Sequence, residues 1–210
     1  MTRPAMRSRT MQVSMLTLLL LFFGGACQGR GGYVEIVDST KRIDVSLATV
    51  RPPSGPGWHL SRIHPGSVSL GKLGSVDSQS FSGLVVLSRL PRLSSKEDFL
   101  EFVSRQRARD SGDLRYQDIL NIETVGVENG IWVIRFHMKH KDFGAANRRS
   151  NTPYLVVEDY GAVYQHPYYK DVAVNVALSQ RSAPEQMDAA FAQFAEAFIN
   201  SVEFVRETPK

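Results

Sequence analysis

The sequence has a single cysteine in 210 residues, Cys27. That excludes a disulfide scaffold and a four-ligand thiolate zinc site. No acidic residue occurs before Glu35. No apolar run is long enough to cross a bilayer as a helix, which takes about 20 residues. Charge of one sign is also scarce. The chain carries 25 Lys and Arg against 21 Asp and Glu, a formal +4. The hydrophobic fraction of 42% is that of an ordinary globular domain and excludes a disordered chain.

What the N-terminus does contain is ordered. Arg3, Arg7 and Arg9 precede Met15 to Phe23, a nine-residue apolar stretch broken only by Thr17. Gly24, Gly25, Ala26 and Cys27 follow. A basic start, a short apolar stretch and small residues before a cut site make a secretory signal peptide. The cysteine directly after Gly24-Gly25-Ala26 resembles a bacterial lipobox, although Gly24 stands where Leu is usual. The resemblance implies a signal peptide over residues 1–26, acylation of Cys27 and attachment to a membrane of the bacterial cell envelope. With Gln28, not Asp, at the next position, it implies the periplasmic face of the outer membrane in a cell that has two membranes. Cleavage removes three of the 25 bases and no acid, which leaves 22 against 21, a balance of +1. Nucleic acid is therefore not an expected partner.

Beyond the cysteine, residues 27–57 are expected to form a tether and an extended segment. It contains alternating strands at Tyr33–Val37 and Ile43–Val50 and a stiff break at Arg51-Pro52-Pro53-Ser54-Gly55-Pro56-Gly57. A single domain is expected over 58–206, with a tail at 207–210. Strands are predicted at Ser67–Leu73 and Phe81–Arg89, then a helix opened by the Ser94/Glu97 capping spacing with Phe99, Phe102 and Val103 along one side. Leu114–Val127 reads as a strand with an irregularity near Asp118. Glu128-Asn129-Gly130 reads as a hairpin turn, and Ile131–His140 as a strand of strict alternation. Further strands are expected at Tyr154–Asp159, Ala162–Gln165 and Val172–Gln180, the first two paired as a hairpin through Tyr160-Gly161. A terminal helix is predicted from Ser182, with Pro184 in its first turn. Met187, Ala190, Phe191, Phe194, Ala195 and Phe198 form its core stripe, and a short edge strand lies at Val202–Val205.

Strands, one helix, hairpins and a closing helix make an α+β domain, a mainly antiparallel sheet packed by two helices. From Trp58 to Val205 the element order, with the final helix followed by Ser201-Val202-Glu203-Phe204, resembles the Mog1/PsbP-like α-β-α sandwich. This fold occurs in many small bacterial lipoproteins of undefined role. The resemblance implies no catalytic residues and no cofactor.

Motifs of chemistry are sparse. Gly66 to Lys72 matches most of a phosphate-binding loop, but Leu73 stands where the metal-binding hydroxyl belongs and no helix follows. Ser69 and Lys72 have the spacing of penicillin-recognising enzymes without the partner motifs. His137 and His140, three apart on a strand, point to opposite faces, so no metal site is expected. The Glu158-Asp159 pair reads as a turn element. A non-catalytic role is the expectation: partner binding or envelope maintenance, with an envelope protein as the partner. The alternative is a binding module for a small anionic or glycan ligand. Its site would be the loops 141–152 and 164–171, with Arg148, Arg149, His166, Tyr168 and Tyr169 as ligand-binding residues. That site requires both loops at one end of the sheet.

Overall fold

The computed structural model describes residues 34–64, 66–76, 78–108, 115–145 and 152–206. Eight strands form one sheet: β1 (Val34–Glu35), β4 (His59–His64), β5 (Ser67–Leu73), β6 (Ser80–Arg89), β7 (Tyr116–Glu128), β8 (Ile131–Asp142), β9 (Leu155–Gln165) and β10 (Val172–Ser182). Their order across the sheet is β1-β4-β5-β6-β10-β9-β8-β7, and every neighbouring pair is antiparallel. A second, three-stranded sheet joins β2 (Ile43–Val45), β3 (Ala48–Val50) and β11 (Glu203–Phe204). Helix α1 spans Lys96–Ala108 and helix α2 spans Phe191–Ile199.

The large sheet buries both faces, because its central strands are apolar on both. β10 is buried along nearly its whole length. On one face Val68, Leu70, Val85, Val133, Ala162, Val174, Val176 and Leu178 pack against β2, β3 and the inner side of α2. On the other face Ile134, Phe136, Met138, Val163, Ala173 and Ala177 pack against Phe99 and Val103 of α1. The result is a layered α+β domain with the sheet in the middle.

Local sequence sets the element ends. Asn129 and Gly130 take φ of 51° and 77°, so the β7–β8 hairpin turns on two residues in the mirror-image geometry that matches strand twist. A register shift between Asp118 and Leu120 supplies the expected irregularity in β7. Ser95 Oγ accepts the Asp98 amide at 3.1 Å, and the Asp98 carboxylate accepts the amides of Ser94 and Ser95. The cap of α1 thus lies one residue later than the Ser94/Glu97 spacing predicts.

Three expectations are corrected. The folded domain begins before Trp58: Val45, Ala48 and Val50 have no exposed surface and sit in the main core. The terminal helix begins at Phe191, not near Ser182. Ser182 still belongs to β10, and Pro184–Gln186 form a separate 3₁₀ turn. Asp188 accepts the Ala190 amide at 2.9 Å in the turn that leads into α2, whose N-cap residue Ala190 has no side-chain cap. In the shorter helix Phe191 and Phe198 are buried while Phe194 is 39% exposed. Finally, Tyr160-Gly161 is no turn. β9 is one strand from Leu155 to Gln165, pairing β8 on one side and β10 on the other.

Candidate functional site

The continuity of β9 decides the two-loop reading. An eleven-residue strand spans about 35 Å at roughly 3.3 Å per residue. The segment before β9 and the one after it therefore leave from opposite ends of the sheet. The described parts of the two loops, Asp142 to Ala145 and His166 to Asp171, are therefore apart, and residues 146–151 lie outside the described residues. Gly161 was misread because glycine serves packing here: the Phe136 ring lies across it from β8.

Cys27, Arg148 and Arg149 lie outside the described residues. His166 has no exposed surface. Its Nε2–H donates to the Leu47 carbonyl at 3.0 Å, and its Nδ1 accepts the amides of Tyr168 and Tyr169 at 3.2 and 3.3 Å. That pattern needs the neutral ring. Burial and nearby Lys170 hold its pKa below the ordinary value, against the pull of the Leu47 carbonyl. His166 is a fastener between the β9–β10 connection and the β2–β3 hairpin. Tyr169 packs on its ring, and Tyr168, 55% exposed, lies under the Arg206 guanidinium.

The titratable side chains of β8–β10 form closed networks on the two faces. His137 and His140 point to opposite faces, as their spacing requires. His137 bonds Glu158 at 2.8 Å and stacks on Tyr160. Glu158 also meets Lys139 at 2.9 Å and the Gln180 amide at 2.8 Å. Burial alone would raise the Glu158 carboxyl, but these donors outweigh it and lower its pKa. On the α1 face His140 bonds Asp159 at 2.9 Å and Asp118 at 3.4 Å. Burial opposes protonation of His140, and the two carboxylates overcome it and raise the pKa. Ser179 gives its hydroxyl to Asp159, not to His140, so serine, histidine and carboxylate are present without the geometry of a nucleophile and its base. Asp142, without exposed surface, takes a two-pronged bond from Arg115 and meets Arg181 at 2.8 Å. These cations lower its pKa against burial.

An open site lies elsewhere, on the α2 face. A cleft of about 330 Å³ is walled by Trp58, Phe81, Leu178, Phe191 and Phe194, with Pro53 on its edge and Lys72 reaching over it. Trp58, Leu178 and Phe191 are almost wholly buried and form the floor. Successive rings contact one another: Trp58 to Phe81 at 6.4 Å and Phe81 to Phe191 at 6.2 Å between centroids. The Lys72 ammonium lies 5.9 Å from the Trp58 ring centre. A shallower depression beyond Phe194 shares Pro53 and Ser54 with the cleft.

Sequence reasoning missed this site because its residues come from four separate segments. One signal was available. In β5, Val68, Leu70 and Lys72 share a phase, and a lysine closes an inward-facing apolar series. Ser69 belongs to the opposite phase, so the Ser69/Lys72 spacing brings no two groups together.

No family model matches the chain, and no curated protein matches it. Among solved structures it is similar to the solution structure of cyanobacterial PsbP (CyanoP) from Synechocystis sp. PCC 6803. The TM-score is 0.48 and the identity 16%, over 86% of this chain and 98% of the other.

Proposed function

We propose that this chain is a lipid-anchored protein of the bacterial cell envelope whose domain acts by binding and not by catalysis. The tether rests on the sequence: a basic start, a short apolar stretch and Gly24-Gly25-Ala26-Cys27. Gln28 favours the periplasmic face of the outer membrane where two membranes exist. The attachment proposed is an acyl group on Cys27. Among the described residues no helix is long and apolar enough to cross a membrane.

One observation carries the binding half. The buried carboxylates among the described residues, Asp142, Glu158 and Asp159, are each held by cations or donors of their own sheet. The open concavity offers a floor of aromatic rings with Lys72 and Asp188 on its rim, an arrangement suited to holding a ligand.

The test is incorporation of labelled fatty acid in a bacterial host, with fractionation of the envelope. The wild type should carry label and sediment with membranes. Cys27→Ala should lose the label. An unlabelled wild type that is cut and released overturns the anchor.

A further inference from the structure

We propose that the cleft bounded by Trp58, Phe81, Phe191, Phe194 and Lys72 binds a compact hydrophobic monocarboxylate, with its apolar body against the rings and its carboxylate paired with the Lys72 ammonium. This deepens the binding reading above and rests on it.

Size comes first. A cleft of about 330 Å³ lies at the small end of ligand sites. That suits one ring or a short alkyl stem, not a folded peptide or a polymer. The floor is preformed. Trp58 is 4% exposed and Phe191 1%, and both are fixed in the main core. A ligand therefore displaces water from apolar surface without first ordering the protein.

Polarity comes next. The floor offers no open hydrogen-bonding group, because the Trp58 indole N–H is already given to the Ser54 carbonyl at 3.2 Å. The Gln79 amide donates to the Gln186 carbonyl at 3.2 Å. Asp188, also at the edge, spends a carboxylate oxygen on the Ala190 amide at the start of α2. Lys72 differs. Its ammonium lies over the Trp58 ring and has no carboxylate partner among the described residues. An ammonium above desolvated rings gains most from a counter-charge carried on an apolar body. A neutral guest would cover that charge without compensating it. The Asp188 carboxylate on the same rim opposes a dianion such as a phosphate monoester, so the fitting charge is a single negative one.

The probe is 3-phenylpropanoate, a ring on a two-carbon stem ending in a carboxylate. Its neutral counterpart is 3-phenylpropanamide. The chain has two tryptophans, so in the full chain carrying Trp132→Phe, held in lipid nanodiscs, Trp58 is the emitter. Saturable change in Trp58 emission is expected with the acid, and the amide should bind about tenfold or more weakly. Lys72→Gln should bring the acid to the level of the amide, and Lys72→Arg should restore much of the difference. Phe194→Ala should weaken acid and amide alike. Calorimetry on the unmodified chain repeats the comparison if Trp132→Phe does not fold. Equal affinity for acid and amide overturns the proposal, as does acid binding unchanged in Lys72→Gln. In both cases the cleft still binds and the broader reading stands. If neither compound nor the cation phenethylamine binds, the proposal and the binding reading fall together. The lipid anchor is tested separately by the labelling experiment.

Discussion

Replacing Gly161 by alanine drives a methyl group into the ring of Phe136. A Cβ on Gly161 would lie 2.7 and 2.8 Å from ring carbons Cε2 and Cε1, and closer still to Cζ. Carbon atoms prefer separations of about 3.5–4.0 Å, so the ring must lift by more than about an ångström. It has nowhere to go. The Arg107 guanidinium covers its other side at 4.0 Å from the ring centre. Arg107 is held in turn by Glu123 at 2.6 Å and by the Met138 sulfur at 2.7 Å. Overpacking of a closed core commonly costs about 1–3 kcal/mol, and a ring clamped on both sides belongs near the upper figure. With a urea slope of about 2 kcal/mol per molar, a loss of about 3 kcal/mol lowers the unfolding midpoint by about 1.5 M. The assay is equilibrium urea unfolding followed by circular dichroism. The double variant Gly161→Ala/Phe136→Leu should be more stable than the sum of its single losses by about 1–2 kcal/mol, because the smaller side chain makes room for the methyl. A single variant within about 0.5 kcal/mol of the wild type would refute the close approach of ring and backbone.

Two further outcomes follow from turn geometry and from histidine environments. Asn129→Ala should lose about 1 kcal/mol in the same assay, since alanine resists the positive φ at that position, while Asn129→Gly should lose little or nothing. His166 and His140 should give opposite pH profiles. The pKa of His166 is lowered by folding, so its stabilisation is complete above the unfolded value of about 6.5 and is lost as pH falls through the folded value. The pKa of His140 is raised, so its stabilisation is complete below about 6.5 and is lost as pH rises through the folded value. The stability gap between wild type and His166→Gln should therefore shrink on acidification, and the gap to His140→Gln should widen. Parallel profiles for the two variants would contradict these assignments.

The readable parts of the fold were those set by neighbours in sequence. Alternation in Trp132 to Lys139, the Asn129-Gly130 turn and the slip near Asp118 each depend on a few adjacent residues, and each has the form they predict. The unreadable parts depend on distant partners. Gly161 has the look of a turn residue until Phe136 is known to cross it. The stripe from Met187 to Phe198 has helical spacing throughout, yet its first third is held out of the helix. Gln180 takes the Asp188 amide at 2.9 Å and Ser182 bonds the Gln186 carbonyl at 3.2 Å. His166 had the chemistry of a ligand contact, and only its fit beneath Leu47 shows that its nitrogens are spent. The cleft was illegible for the same reason: Trp58, Lys72, Phe81 and Phe191 are apolar or charged residues of no special spacing until two strands, a helix and the segment before β4 bring them together.

The small sheet joins the beginning of the domain to its end. Arg42 bonds the carbonyl of Ser201, 159 positions later, and forms an ion pair with Glu203. The Leu47 carbonyl receives the amide of Val205 at 2.8 Å. During synthesis, then, the β2–β3 hairpin emerges with its apolar side uncovered and waits for almost the whole chain to follow. Val45 and Val50 gain their final neighbours only when Phe198, Ile199 and the last strand arrive. Such a domain completes its core only when its last strand has been made, so its folding as a unit waits on the whole chain.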